Sequence, residues 1–486
     1  MAGVTGIGSG IDIDSIVKSM VAAERAPKEA QLANLEKKTT TQITAIGALK
    51  SAISEFQTAL GGLNKPELFQ ARSATSSKAD QVAVTASTKA GAGSYQVEVK
   101  SLATSSKVAL QPFPNTAEAP AATFGGGTLT FKVGEKSLEV TVDEGNNTLA
   151  GIRDAINAGG KDMGLTATIV TDDAGARLVL SSSRTGAGED ITVDGKTTDD
   201  GLGSLSLEEL NFDGTIVEPD PSDEAAMKAY REGPMTLSAA QSAQISVDGL
   251  LITSKTNKIE GAIEGVTLDL KAKTAANEPL TINVAEDKAG VKKQVQSFVD
   301  AYNKLIGVIN AQTKVTSVGD GKTPVTGALV GDATARTLLG TIRNELVNVQ
   351  GDGALRALSD IGITTQKDGT LGIDSAKLDK AMADNFTDLP GLFTGEKGLA
   401  SRLDAKLKPY TETGGILEQR NKVMTETISG IDKQREDLNR RVTSLQERLF
   451  KQFNAMDLLV GQLANTSSSL LASLENLPWA ANNSKK

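Results

Sequence analysis

A long heptad repeat near the C-terminus constrains this chain more than any other feature. Between residues 414 and 463, seam positions recur alternately three and four residues apart, and all but Asn421, Arg435 and Gln452 are apolar. Such a seam predicts a long helix that packs against another helix, because water would otherwise cover its apolar side. The predicted partner-interface residues of this C-terminal leg are Leu417, Met424, Ile428, Ile431, Leu438, Val442, Leu445, Leu449, Met456, Leu459 and Leu463.

A second heptad run near the N-terminus offers a partner for this helix. Its run is interrupted only by the polar, β-branched stretch 39–42. The predicted interface residues of this N-terminal leg are Leu32, Leu35, Ile46, Leu49, Ile53 and Phe56. The alternative to a long stalk is an ordinary pair of helices packed on a globular domain. The pattern does not decide whether the two end helices pair within one subunit or between subunits.

Local signals predict where the N-terminal helices begin and end. Residues 1–10 are rich in glycine and are expected to be flexible, and Asp12 is a good N-cap. Pro27 predicts either an end of the first helix at Ala26 or the first turn of a second helix. The second helix is expected to end at Leu60, with Gly61 and Gly62 as its C-cap.

The middle of the chain changes to the period of two that is typical of strands. Two strands, 81–85 and 94–99, are expected to be joined through Gly91 and Gly93, and Asp248-Gly249 predicts a tight hairpin. Thr148 should cap a helix that stops at Gly159. The other predicted strands are 129–133, 138–142, 165–171, 176–181, 191–193, 244–247, 250–253, 266–270 and 279–284. Prolines 112, 114 and 120 suggest a linker, and 195–235 is expected to be loop with a helix near 225–230.

A helical period returns after Asp287, with further helices near 332–349, 375–383 and 397–407. Helices from both ends can pair only if the β-rich middle is inserted between them. We therefore predict an α+β multidomain fold with a coiled-coil stalk of long terminal helices, a helical neck domain and two nested β-rich head domains. The predicted boundaries are 1–42 for the N-terminal leg helices, 43–72 plus 287–413 for the neck, 73–103 plus 236–286 for the inner head, 104–235 for the outer β+α head, and 414–475 for the C-terminal leg.

Composition excludes several classes of function. Histidine and cysteine are absent, so disulfides, cysteine-ligated zinc and histidine-dependent catalysis are excluded. A net charge of −9 argues against nucleic acid as a partner. The start lacks a signal-peptide pattern, and no run of about 18 apolar residues predicts membrane insertion. Composition therefore leaves a cytoplasmic protein and a non-classically exported one both open.

No motif predicts catalytic, cofactor-binding or metal-binding residues. The glycines of 6–10 lack the preceding strand and the spacing of a nucleotide loop, and Gly321-Lys322-Thr323 lacks the first glycine of a phosphate-binding loop. The pairs Asp172-Asp173 and Asp199-Asp200 fit turns better than acid–base dyads, because adjacent side chains on a strand point apart. Trp479, the single tryptophan, is expected either to anchor a partner or to cap the last helix.

Four stretches resemble the family of bacterial flagellar filament-capping proteins (FliD, or hook-associated protein 2). One is an N-terminal motif, another resembles the flagellin hook IN motif at about 148–194, a third is similar to the segment that closes the family's β head, and the last is similar to its C-terminal helix. The N-terminal motif is Gly8-Ser9-Gly10-Ile11-Asp12 with Ser15, Val17 and 23–27. The stretch that resembles the hook IN motif is 149–156 with 168–170, 175–178, 181–182 and 185–186. The segment similar to the one that closes the β head is 243–270 with Val247-Asp248-Gly249 and 265–268, and the stretch similar to the C-terminal helix is 436–464.

The resemblance implies a protein secreted through the flagellar type III export channel without a cleaved signal. It implies a ring-like homo-oligomer, often a pentamer, at the filament tip, with β domains as a plate and terminal helices as legs. Flagellin would fold and insert beneath this cap. The implied partners are further copies of the chain, flagellin, the hook–filament junction protein and a cytoplasmic export chaperone that binds the C-terminal helix.

Two other functions compete with this one. Some family members contribute to adhesion to mucus, so the alternative is a surface adhesin whose β head domains bind mucin or another glycan. Sugar sites usually stack aromatic rings, and the head offers only Tyr95, Phe113, Phe124, Phe131, Phe212 and Tyr230. A hydrolase that uses paired carboxylates has no spacing signal in its favour.

Overall fold

The structure is a computed structural model that describes residues 10–114, 122–198, 201–214, 216–319, 321, 323–348 and 354–475. Its helices are α1 Ile13–Leu63, α2 Pro66–Gln70, α3 Leu149–Gly159, α4 Glu224–Glu232, α5 Lys288–Thr313, α6 Ala333–Val347, α7 Ser375–Asp384, α8 Leu389–Phe393, α9 Leu399–Thr411 and α10 Ile416–Glu475. Residues outside the described part of the chain include 1–9 of the predicted glycine-rich start 1–10, Pro120, Asp199-Asp200, Lys322 and Trp479.

The strands lie almost entirely in the middle of the chain. They are β1 Arg72–Ser76, β2 Val82–Ala86, β3 Gly93–Ser101, β4 Ser105–Ala109, β5 Gly127–Val133, β6 Lys136–Val142, β7 Leu165–Asp172, β8 Gly175–Thr185, β9 Ile191–Thr197, β10 Met235–Ser238, β11 Ala243–Val247, β12 Leu250–Ser254, β13 Lys258–Ile263, β14 Val266–Leu270, β15 Leu280–Glu286, β16 Val315–Thr316, β17 Val325–Thr326, β18 Ile363–Thr365 and β19 Leu371–Ile373. The predicted α+β fold class with long terminal helices is therefore confirmed.

By its contacts the chain forms two compact units. The helical unit is Met1–Phe69 with Lys288–Lys486, and the β-rich unit is Gln70–Asp287. The finer division into legs, neck and two heads stays a prediction.

Helix α1 runs unbroken through Pro27, so the predicted helix boundary at Ala26 is wrong. Proline removes one backbone hydrogen bond and costs about 3 kcal/mol in a helix interior. Packing on both sides outweighs that local cost, since Val17 and Leu32 are both buried. The Arg25–Glu29 ion pair, with its nitrogen and oxygen 2.6 Å apart, also spans the proline.

The predicted C-cap at Gly61-Gly62 is also wrong, because α1 continues to Leu63 and Asn64 caps it. Leu63 is fully buried, which favours the extra turn. Gly62 allows a close approach of Gln294, whose side-chain nitrogen occupies the space that a Cβ at position 62 would need and donates to Ala59 O at 3.1 Å. This glycine therefore serves helix packing rather than termination.

The core of the helical unit lies between the second half of α1 and helices α5 to α9. Phe56 is fully buried there, with its ring centroid 5.6 Å from that of Phe298 and 5.8 Å from that of Tyr302. The Tyr302 hydroxyl donates to Gly369 O at 2.9 Å, so its polar end is satisfied. The helices predicted near 332–349, 375–383 and 397–407 correspond to α6, α7 and α9.

The β-rich unit contains two hydrophobic cores. One is shared by a five-stranded sheet, ordered β1-β15-β3-β11-β12, and a three-stranded sheet, β13-β14-β2. The other is shared by β10-β4-β8-β7, β6-β5-β9 and α3. The tight hairpin of β11 and β12 is confirmed, with Asp248 and Gly249 both at positive φ.

Three features of this unit differ from expectation. Strands β2 and β3 lie in different sheets, because β2 pairs with β14 while β3 pairs with β11 and β15. The predicted linker begins in the core, since Phe113 is buried and donates its N–H to Ala176 O at 2.9 Å. The predicted loop 195–235 contains the buried side chains of Leu207, Leu210 and Phe212 as well as α4, which was expected.

Candidate assembly surfaces

Within one subunit, the first part of α10 packs against α1. Three ion pairs fix an antiparallel register: Lys50–Glu418 at 3.5 Å, Glu36–Arg435 at 2.5 Å and Glu24–Arg441 at 3.4 Å. Continued at the same rise per residue, this register places Ile13 opposite a point near Gln452. The part of α10 beyond that point extends past the start of α1.

The structure divides the predicted C-terminal interface into three groups along α10. The exposed residues lie beyond the start of α1, so they continue the apolar seam of α10 but α1 does not cover them. The buried residues are Leu417, Ile431, Leu438 and Val442, the half-buried ones are Met424, Ile428, Leu445 and Leu449, and the exposed ones are Met456, Leu459 and Leu463. Their role as a partner interface stays a prediction.

The predicted N-terminal interface is mostly internal to the subunit. Leu32 is buried, whereas Leu35 is 41% exposed. Ile46, Leu49, Ile53 and Phe56 are buried in the core of the helical unit. A surface that awaits a partner therefore cannot include these four residues while the unit is folded.

Two buried residues at the start of α1 were missing from the predicted interface. Ile13 and Val17 are 2% and 0% exposed. The step from Val17 to Leu32 is one residue more than two heptads, so a strict heptad search that starts at Leu32 does not reach them. The apolar stripe formed by Ile13, Ile16, Val17 and Met20 was the sequence signal that could have identified them.

A bidentate ion pair anchors the beginning of α10. The guanidinium of Arg420 donates to both carboxylate oxygens of Asp332, through Nη1 at 2.9 Å and through Nη2. The same carboxylate caps α6, because Asp332 Oδ1 accepts from Ala335 N at 3.0 Å. The Arg420 hydrogen bonds hold the pKa of Asp332 below its ordinary value of 3.8.

Replacing Asp332 by alanine is expected to destabilise the helical unit by about 2–3 kcal/mol, because a helix cap and a charged hydrogen-bond partner are both lost. Asp332→Asn is the matched control, since it keeps a capping oxygen and should cost less. Urea unfolding followed by circular dichroism at 222 nm measures the stability of both variants.

The depressed pKa of Asp332 makes the stability of the helical unit depend on pH. The ion pair stabilises the fold above pH 3.8, and this effect is lost as the pH falls through the lower pKa that Asp332 has in the folded state. The difference between wild type and Asp332→Asn should therefore shrink below pH 3.8; a constant difference would contradict the ion-pair explanation.

In the β-rich unit, the acidic pair Asp172-Asp173 lies at a turn between two strands. Asp172 Oδ1 accepts from the backbone nitrogens of Ala174 and Gly175 at 3.0 and 3.2 Å, and Oδ2 pairs with Arg177 at 3.0 Å. This arrangement closes the turn between β7 and β8, so the predicted turn role is confirmed. Among the described residues, no group of three or more acidic side chains is arranged to hold a metal ion. No described helix is long and apolar enough to cross a membrane.

The aromatic rings of the β-rich unit that could stack on a sugar are buried or half-buried. Phe113, Phe124, Phe131 and Phe212 are buried. Tyr95 and Tyr230 are half-buried, and the Tyr230 hydroxyl donates to Thr236 O at 2.9 Å. The described part of the head therefore presents no fully exposed ring.

Comparison with known proteins identifies the family of this chain. Models of the flagellar hook-associated protein 2 N-terminus and C-terminus match residues 9–106 and 240–465, and the flagellin hook IN motif matches 128–184. The chain is 48% identical to the B-type flagellar hook-associated protein 2 of Pseudomonas aeruginosa, over 99% of both chains. It is 31% identical to flagellar hook-associated protein 2 of Escherichia coli K12, over 97% of both.

The chain belongs to the FliD, or flagellar hook-associated protein 2, family. The crystal structure of the D1-D2-D3 domains of the flagellar cap protein FliD from Escherichia coli is similar in fold, with a TM-score of 0.58 and 28% identity over 78% of this chain and 99% of that one. This FliD chain is therefore a structural flagellar cap protein, exported to the filament tip, and not an enzyme. The resemblance first indicated by the N-terminal and hook IN motifs is confirmed.

Proposed function

We propose that this FliD chain assembles into a ring of several copies at the filament tip, retains exported flagellin there, and promotes its folding and insertion beneath the ring. A pentamer is the ring that the family resemblance implies. The observation that supports this proposal is the distal part of α10, where Met456, Leu459 and Leu463 continue the apolar seam in an exposed position. Such a surface favours a partner outside the subunit.

The distal seam of α10 suits partners that are themselves helices. An amphipathic helix binds another by placing apolar residues three and four positions apart into its groove. Axial helices of flagellin and of the hook–filament junction protein are the partners proposed at the tip. Before export, a cytoplasmic chaperone would cover the same surface, so the chaperone and the filament partners would exclude one another.

Deleting the gene is the experiment that tests the cap function. We expect soluble, unpolymerised flagellin in the culture medium and few or no filaments, because exported subunits would diffuse away before they insert. Immunoblotting of the medium and electron microscopy of the cells measure the two results. Complementation with the full-length chain should restore filaments. Normal filaments without flagellin in the medium would contradict the proposal.

The adhesin alternative gains no support from the head. Its described aromatic rings are buried or half-buried, and glycan sites generally need exposed ones. Binding of a mucin-coated surface by the isolated Gln70–Asp287 unit, at a level equal to that of the full-length chain, would nevertheless favour that function.

A further inference from the structure

Strand β12 forms an open edge of the five-stranded sheet. Its register with β11 bonds residues 250, 252 and 254 to that strand, so the backbone N–H and C=O groups of Leu251 and Thr253 point away from the sheet. The side chains of Leu250 and Leu251 are 72% and 60% exposed. No charged residue, proline or bulge interrupts this edge, although natural proteins usually use such features to block strand addition.

Strand β7 forms a second open edge, in the four-stranded sheet around the other core. Its first half is covered, because the side-chain amide of Asn157 donates to Ala167 O at 2.9 Å and accepts from Ala167 N at 2.8 Å. Beyond Ala167 the backbone groups of Ile169 and Thr171 point outward with no partner among the described residues. Val170 between them is 44% exposed.

The other sheet edges of this unit are blocked in familiar ways. Strands β6 and β13 carry charged residues, and β13 also has an irregular register, as does the four-residue β10. Strand β9 is bridged by Phe212, and β1 and β2 pack against each other. Within the described residues, β12 and the second half of β7 are therefore the two edges best suited to accept another strand.

We propose that β12 of one FliD subunit adds, antiparallel, to the second half of β7 in a neighbouring subunit. This inference rests on the proposed ring. Matching the outward backbone groups pairs Leu251 with Thr171 and Thr253 with Ile169, and it sets Val170 opposite Ile252. Aromatic or β-branched pairs of this kind stabilise adjacent strands.

Two different edges on one chain produce a head-to-tail contact. Such a heterologous contact closes into a ring when each step rotates by a whole-number fraction of a turn without a rise along the axis, whereas a contact between identical edges stops at a dimer. Both edges belong to the β-rich unit, so contacts between its two cores set the angle between the edges. The turn between β8 and β9 docks onto the other core through Glu189, which is 5% exposed and pairs with Arg184 at 2.7 Å and Lys255 at 3.0 Å.

Further backbone contacts hold the same turn. Ala187 N donates to Ser242 Oγ at 3.0 Å, and Ala240 N donates to Asp190 Oδ1 at 2.8 Å. The hydrogen bonds from Arg184 and Lys255 hold the pKa of Glu189 below its ordinary value, so this carboxylate remains charged near neutral pH. These contacts therefore join the supports of the two edges within one compact unit.

The absence of cysteine from the chain allows a direct test. In the full-length protein, the double variant Leu251→Cys/Thr171→Cys should form, under a mild oxidant, a ladder of covalent oligomers that ends at one closed size. An equimolar mixture of the two single variants should give covalent dimers only, and each single variant alone should give none. Denaturing electrophoresis without reductant measures the products.

The matched control is Leu237→Cys/Thr171→Cys, since Leu237 is a strand leucine exposed to 49% outside both edges. It should give no ladder. Dimers from Leu251→Cys alone, at the rate seen in the mixture, would show identical edges in contact and overturn the head-to-tail proposal. Absence of any ladder from the double variant would overturn it as well.

The same variants separate this inference from the cap function. Leu251→Lys places a charge on the β12 edge without touching the core, and we expect it to abolish the covalent ladder in the Ile169→Cys/Thr253→Cys background, whose two cysteines oppose each other in the proposed register. If the wild-type gene restores filaments while no ladder forms, the strand contact is wrong and the cap function stands. If the wild-type gene fails to retain flagellin, the proposed function itself fails.

Discussion

Truncation of FliD after Ala455 is expected to abolish filament growth while the rest of the subunit stays folded. The removed part of α10 carries apolar residues that the described part of the subunit leaves exposed, so we expect it to contribute to binding rather than to the fold. The most exposed of these are the leucines Leu458, Leu459, Leu463, Leu470, Leu471 and Leu474. Cells that carry only the truncated gene should lose swimming motility and release soluble flagellin. Urea unfolding should change by less than about 0.5 kcal/mol, as for other surface changes.

Point variants separate loss of the apolar seam from loss of length. Leu459→Ser combined with Leu463→Ser should reproduce the truncation in motility assays, because both side chains lie on the uncovered seam. Ser467→Ala combined with Ser468→Ala changes exposed positions of the same helix and should leave motility intact. Filaments of normal length on cells with the truncated protein would mean that the distal helix has no part in assembly.

A deletion that removes both predicted legs would not test their role in assembly. A deletion of the whole of 1–63 would remove Ile46, Leu49, Ile53 and Phe56, which belong to the core of the helical unit. Its failure in a motility assay would report unfolding rather than loss of a leg. The structure therefore limits an informative deletion to the part of α10 beyond α1.

The sequence predicted the helices well but not what covers them. Leu438 and Leu459 occupy equivalent seam positions, yet Leu438 is buried and Leu459 is 59% exposed. Periodicity describes one helix at a time, whereas burial depends on where α1 begins and on its antiparallel register. Ion pairs such as Glu36–Arg435 accompany that register, and no local pattern in either helix indicates which charges will meet.

Tertiary packing also overrode local signals elsewhere. Pro27 and the Gly61-Gly62 pair are strong helix-end signals, but the buried residues Val17, Leu32 and Leu63 on either side keep α1 helical. In the head, alternation located most strands but could not give their neighbours, because β2 and β3 are adjacent in sequence and lie in different sheets. The two open edges could be recognised only once this strand order was known.

Phe56→Ala is expected to destabilise the helical unit by about 3–5 kcal/mol, the usual range for a fully buried phenylalanine. The substitution would remove a ring that is 0% exposed and lies against Phe298 and Tyr302, and rigid helices α1 and α5 would not collapse fully into the cavity. Urea unfolding followed at 222 nm reports this unit, because it contains the long helices. The β-rich unit should keep its own transition, measured by hydrogen exchange of β3 and β11.

Leu35→Ala is the matched control, since Leu35 belongs to the same heptad run and the same helix but is 41% exposed. Its expected cost is below about 1 kcal/mol, because little apolar surface is removed from a covered site. A similar loss of stability for both variants would mean that Leu35 is covered in solution, and hence that α1 already contacts another subunit. A small effect of Phe56→Ala would instead contradict the position of α1 at the centre of the helical core.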